Sequence, residues 1–149
     1  MIEQTLLLIK PDAFKKRIVG KIITQVEQEG FNIAEISLKS LTQEEAEALY
    51  EVHRGKDFFE PLVSFIREAP VIALVLERKG AIGHLRKIIG KTNPDEAAPQ
   101  TIRALYGTST RRNVVHAAES REAFEKEVRI FFPDFKPWCL SGCLLCKNN

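Results

Sequence analysis

Three histidines, His53, His84 and His116, carry the imidazoles of this chain. An imidazole is a nucleophile or proton carrier near neutral pH, because its unperturbed pKa is about 6.5. His84 sits beside Arg86 in a helical pattern and His53 in a polar loop, so both read as solvated. His116 differs, since it ends the β-branched pair Val114-Val115 and precedes two alanines. Asn113 and Arg111-Arg112 lie just upstream, and Glu127 falls on the following helix. A carboxylate within reach of an imidazole orients the ring, which is the arrangement of an activated nucleophile. Lys10 ends the apolar run Leu6–Ile9, where an ammonium either edges a site or snorkels to water. With Arg86, Thr92, Arg103 and Arg111 it offers the fixed donors that a polyphosphate takes. Phe58 is either core or a stacking platform for a base, and Phe59 beside it must face differently.

Other motifs carry less. Gly90-Lys91-Thr92 would end a phosphate-binding loop only with a glycine at position 85, and Leu85 stands there after a helical pattern. No G-x-G-x-x-G occurs, so a Rossmann dinucleotide site has no support. Cys139, Cys143 and Cys146 have a spacing that can ligate an iron–sulfur cluster. They crowd the extreme end of the chain, however, and read as an incidental or structural tail. Three cysteines in one tail are no disulfide framework.

The elements that must position these groups follow from periodicity. Thr5–Ile9 reads as a buried strand stopped by Pro11. Ile18, Ile22 and Val26 form a helical stripe that stops at Gly30. Ala34, Ile36 and Leu38 alternate with polar residues, as in a strand buried on one face. Thr42 and Glu45 form a capping box for a helix to about Tyr50. A helix over Phe58–Arg67, a strand over Val71–Leu76 and a helix over Ala81–Ile89 follow. Residues 92–101 read as a long loop, 114–116 as a strand, and Ser120 as the cap of a helix burying Phe124 and Val128. Strands and helices interleave, so the pattern predicts one mixed sheet with helices against it.

Composition sets the outer limits. With 149 residues, 44% apolar and 28% charged, the chain has the size and balance of about one globular domain. We expect a single domain over 1–149 whose pattern dissolves into an irregular tail from about 135. Lysine plus arginine number 22 and aspartate plus glutamate 20, so the net charge of +2 demands no nucleic-acid partner, and none is expected. The longest apolar run, Val71–Leu76, cannot span a bilayer, and no basic leader opens the chain. No membrane association and a cytoplasmic location are expected.

Five segments stand out together: Thr5-Leu-Leu-Leu-Ile-Lys-Pro-Asp12, Lys56-Asp-Phe-Phe59, Gly90-Lys-Thr-Asn-Pro94, Thr101-Ile-Arg103, and Arg112-Asn-Val-Val-His116 with Glu119-Ser120. In order and spacing, over Met1–Pro133, they are similar to the nucleoside diphosphate kinases. The resemblance implies an α/β fold (an α+β sandwich), ferredoxin-like, with a four-stranded antiparallel sheet. It implies ping-pong transfer of a γ-phosphoryl group between nucleoside triphosphates and diphosphates through a phosphohistidine, with Mg2+ on the nucleotide phosphates. By position His116 is the nucleophile. Lys10, Arg86, Arg103 and Thr92 hold phosphates, while Lys10 and Asn113 reach the ribose. Phe58 stacks on the base with help from Leu62, and Tyr50 and Glu127 support the histidine. The resemblance also implies a homo-oligomer, tetramer or hexamer, with contacts near Pro94. The chain departs from the family after His116, where Ala117-Ala118-Glu119-Ser120 replaces Gly-Ser-Asp-Ser. That departure motivates the alternative of a nucleotide-binding domain with reduced turnover.

Overall fold

A computed structural model of the chain describes residues 2–135. Its frame is a four-stranded sheet of β1 (Ile2–Ile9), β2 (Asn32–Lys39), β3 (Val71–Lys79) and β4 (Val115–Ala117), in the order β2-β3-β1-β4. Every ladder is antiparallel, which corrects the mixed sheet expected from the interleaved pattern. β1 and β2 do run the same way, as a strand–helix–strand unit predicts. β3 inserts between them and pairs antiparallel to both. β1 likewise separates β3 from β4. The result is the ferredoxin-like sandwich.

Seven α-helices are present among the described residues: α1 (Pro11–Lys15), α2 (Val19–Gln28), α3 (Gln43–Leu49), α4 (Phe59–Ile66), α5 (Ala81–Ile89), α6 (Ile102–Tyr106) and α7 (Arg121–Phe131). The central strand explains the unbroken apolar run. Leu7 and Ile9 face one layer with Ile22 and Val26 of α2 and Leu85 and Ile89 of α5. Leu6 and Leu8 face the other, with Val63 and Ile66 of α4 and Phe124 and Val128 of α7. A strand covered on both faces needs apolar residues at successive positions.

The helix starts follow their chemistry. Thr42 and Glu45 form the reciprocal capping box, with Thr42 Oγ1 accepting from the Glu45 N–H at 3.2 Å. Ser120 Oγ accepts from the Ala123 N–H at the start of α7. Two short helices were not legible in the pattern. α1 begins at Pro11, whose ring suits a first helical turn, and α6 begins after the cap Thr101.

The reading of β2 as buried on one face needs correction. Ile36 and Leu38 are 56% and 60% exposed, although Ala34 packs against the core. β2 is an edge strand, and its Ile36 and Leu38 side chains stay uncovered although Lys39 beside them donates to the Ile130 carbonyl of α7. The cysteine tail expected from about 135 lies outside the described residues.

Candidate active site

The end of β1 and the start of β4 create the site. Register places His116 opposite Leu8 and Val115 opposite Ile9, so the chain leaving β1 at Lys10 meets the chain entering β4. A cleft of about 530 Å3 opens there. Nine of the ten residues to which the resemblance gives a role line it, Lys10, Tyr50, Phe58, Leu62, Arg86, Thr92, Arg103, Asn113 and His116, and so does Arg111. The tenth, Glu127, stands behind His116 on α7.

The imidazole of His116 is held from behind. Both carboxylate oxygens of Glu127 lie 3.1–3.2 Å from its Nε2. The side chains are 23% and 12% exposed, so the pair is sheltered yet open on one side. A carboxylate accepts, so the neutral ring that donates to Glu127 carries its proton on Nε2 and its lone pair on Nδ1. Tyr50 meets the same ring edge-on at 6.5 Å. Its phenol is pushed well above the usual range by burial first, then by the charges of Glu127 and Asp12. It is therefore neutral across physiological pH.

Lys10 does not snorkel. It is 4% exposed, and its Nζ donates to the Arg111 carbonyl at 2.8 Å and to Asn113 Oδ1 at 2.7 Å. Both partners are neutral, and burial pulls its pKa down to about 7, with Asp12 opposing and Arg103 adding to the fall. Asn113 uses its amide to bind the Thr92 and Thr110 carbonyls, each at 2.9 Å. One side chain thus ties three segments of the cleft together.

Arg103 on α6 is 9% exposed and donates to the carbonyls of Gly90 at 3.1 Å and Val115 at 2.9 Å. Its pKa falls to about 10, first through burial and then through Arg86. It remains cationic at neutral pH. Gly90 makes this approach possible. It closes α5 at φ 88°, and a Cβ there would lie 2.8 Å from Thr101 Cβ. Arg86 and Thr92 are exposed at the rim. Arg112, by contrast, turns to Glu68 with two hydrogen bonds of 3.0 and 3.2 Å.

Phe58 is 42% exposed and lines the cleft, whereas Phe59 is 3% exposed and belongs to the core. Sequence reasoning missed His53. It is half-buried rather than free in solvent: it lines the cleft, and its ring meets Phe58 at 5.1 Å and Tyr50 at 6.4 Å. Its spacing from both aromatics was the available signal. His84 is also more engaged than expected, with Nε2 2.9 Å from Glu29 and its ring against Phe31.

The two alanines after His116 differ in consequence. Ala117 lies in extended β4 and is not among the positive-φ residues, so glycine's freedom is not needed there. Ala118 is fully buried and offers no hydroxyl, leaving Glu127 with His116 as its hydrogen-bond partner at this end.

Buried cations, an exposed aromatic ring and an oriented imidazole lining one cleft are the parts a phosphoryl-transfer enzyme uses. The comparisons with known proteins agree. The family model of nucleoside diphosphate kinase matches residues 3–136. A nucleoside diphosphate kinase from Hyperthermus butylicus is 47% identical over 89% of this chain and 94% of its own length. One from Actinobacillus pleuropneumoniae is 46% identical over 89% and 96%. The solved structure of the Aquifex aeolicus nucleoside diphosphate kinase superposes with a TM-score of 0.85 at 42% identity, covering 87% of this chain and 94% of that one. A Halobacterium salinarum nucleoside diphosphate kinase in complex with CDP superposes at 0.86 and 33% identity, covering 95% and 97%. The chain belongs to the nucleoside diphosphate kinase family and is a phosphotransferase.

Proposed function

We propose that the chain moves the γ-phosphoryl group of a nucleoside triphosphate, typically ATP, to a nucleoside diphosphate in two half-reactions through His116. The observation that carries this reading is the Glu127–His116 pair at the cleft, in which Glu127 engages Nε2 and Nδ1 is the ring nitrogen left for attack. In the first half-reaction the Nδ1 lone pair attacks the γ-phosphorus in line. The bond to the β–γ bridging oxygen breaks, and its electrons leave on the nucleoside diphosphate. In the second half-reaction a terminal oxygen of another diphosphate attacks the same phosphorus and Nδ1 leaves. Glu127 holds the Nε2 proton while the ring gains positive charge. Such a reaction asks the protein mainly for alignment and charge neutralisation.

Arg86, Arg103, Thr92 and Lys10 bind the phosphates, Lys10 and Asn113 reach the ribose, and Tyr50 packs the imidazole into place. Phe58 and Leu62 take the base by stacking, which suits many nucleotides because every base has a π-face. Glu119 is the one carboxylate among the residues lining the cleft, and no three His, Cys, Asp or Glu side chains gather among the described residues. That donor set suits magnesium carried on phosphate oxygens and water, where it supplies further neutralisation of phosphate charge. The product of this exchange is balanced nucleoside triphosphate pools, and the compartment we infer is the cytoplasm. No described helix is long and apolar enough to cross a membrane.

Incubation with γ-labelled ATP tests the reading. Acid-labile, alkali-stable label on His116, chased off by any nucleoside diphosphate, is the expected result. Bound nucleotide without label would favour the alternative of a binding domain with reduced turnover, for which Ala118 is the motive.

The His53–Phe58 contact gives a second expectation. His53→Ala should raise nucleotide KM about three- to tenfold with kcat nearly unchanged, since an edge-to-face aromatic pair is worth roughly 0.5–1.5 kcal/mol. His53→Phe should restore it, and steady-state kinetics on two different bases reads the effect.

We infer a homo-oligomer, with tetramer or hexamer implied by the family resemblance and the β2 edge supplying one pairwise contact within it. An edge strand with Ile36 and Leu38 exposed is a template for pairing with a second copy. Charging that edge by Ile36→Lys with Leu38→Lys should shift light scattering to a smaller species.

A further inference from the structure

Val114 is one of three non-glycine residues with positive φ among the described residues, at 64°. A β-branched side chain in that region is a true outlier, because Cβ crowds its own backbone. The turn is tight: the Val115 N–H donates to the Asn113 carbonyl at 2.8 Å, across a single residue. Such a conformation persists only where surrounding structure imposes it.

The surroundings are specific. The Val114 N–H donates to Asp12 Oδ2 at 3.0 Å, and the Val114 carbonyl accepts from the Lys10 N–H at 2.8 Å. Both backbone polar groups of the strained residue are therefore held by one three-residue segment. Asp12 is 4% exposed and Val114 fully buried. Asp12 Oδ1 makes no hydrogen bond among the described residues, so the bond to Val114 is the one the carboxylate makes. Two residues later the chain presents His116.

We propose that Asp12 is a positioning residue: its carboxylate clamps Val114 in the left-handed turn and thereby sets where β4 begins and where the His116 ring points. The inference rests on the proposed role of His116. Without the clamp, Val114 relaxes to an extended conformation, which moves the peptide entering β4 and turns the imidazole away from the line of attack. A misplacement of this kind lowers the chemical step, not ground-state binding.

The test compares Asp12→Ala, Asp12→Asn and Asp12→Ala with Val114→Gly, each corrected for the folded fraction measured by thermal melting. Asp12→Ala should lower kcat, read at saturating nucleotide, tenfold or more, and the Val114 amide should lose its hydrogen-exchange protection. Asp12→Asn keeps an acceptor and should hold kcat within threefold at pH 6. In the double variant, glycine takes positive φ without strain and should recover at least fivefold of the lost kcat. A double variant no better than Asp12→Ala overturns the clamp, as does unchanged kcat in folded Asp12→Ala. Should Asp12→Ala not fold, a tenfold loss in Asp12→Asn overturns it instead. Amide exchange of Val114 is read without turnover. A parent enzyme that forms no phosphohistidine therefore sinks the functional reading, while loss of protection still reports on the clamp.

Discussion

His116→Gln should abolish both the phosphoenzyme and the exchange, with turnover falling by a factor on the order of 10⁴ or more, as for loss of other enzymic nucleophiles. Glutamine can still donate an amide N–H to Glu127, so the pocket need not collapse. The amide has no basic nitrogen with which to attack phosphorus. The neighbouring imidazole offers no substitute. His53 lines the same cleft, but its ring packs against Phe58 and its Nδ1 is buried without a hydrogen bond. Nucleotide binding should survive, because the cations and Phe58 are untouched. Filter binding together with acid and alkaline stability of the label separates the two effects. Turnover retained by His116→Gln would remove the covalent route.

Nucleotide affinity should fall as pH rises through about 7, because of Lys10. In the free enzyme burial disfavours its ammonium, and its hydrogen-bond partners are neutral. A bound phosphate restores the charged form, so the pKa in the complex is higher than in the free enzyme. Between the two values binding takes up a proton and weakens with increasing pH. Below pH 7 the lysine is already charged, and its contribution is flat. Calorimetry at pH 8 in buffers of different ionisation enthalpy should count uptake of up to about one proton. Lys10→Ala should erase that uptake and weaken binding about 10²-fold at pH 6.5, the scale of losing one well-placed donor. A variant that binds as tightly as the parent, or keeps the same proton uptake, would contradict this role.

How much of this was legible in the sequence depends on range. The run Leu6–Ile9 announces a strand buried on both faces, and Lys10 is conspicuous because it interrupts that run. Helix α5 was readable to the residue because its stripe and the closing Gly90 are local. His116 stood out through near neighbours, and Glu127 because it recurs on the helix that Ser120 caps. What was not legible required knowing which strand is an edge. Alternation marks Ile36 and Leu38 as a face but is silent on whether anything covers it. His53 was missed for a related reason: a polar loop looks solvated until Tyr50 and Phe58 close around one of its members. The positive φ of Val114 left no trace at all, since nothing about a valine advertises the conformation that Asp12 imposes on it.

The bonds that the side chains of Lys10 and Asp12 make to residues 111–114 span 101 to 103 positions of chain. During synthesis the first strand therefore emerges long before its partners exist, and its buried lysine has no carbonyl to satisfy it. Closing so large a loop is entropically slow, so helices and local turns form ahead of it. In a refolding experiment, far-ultraviolet ellipticity should return before phosphotransfer does, which makes catalytic competence a report on the last long-range contact to form.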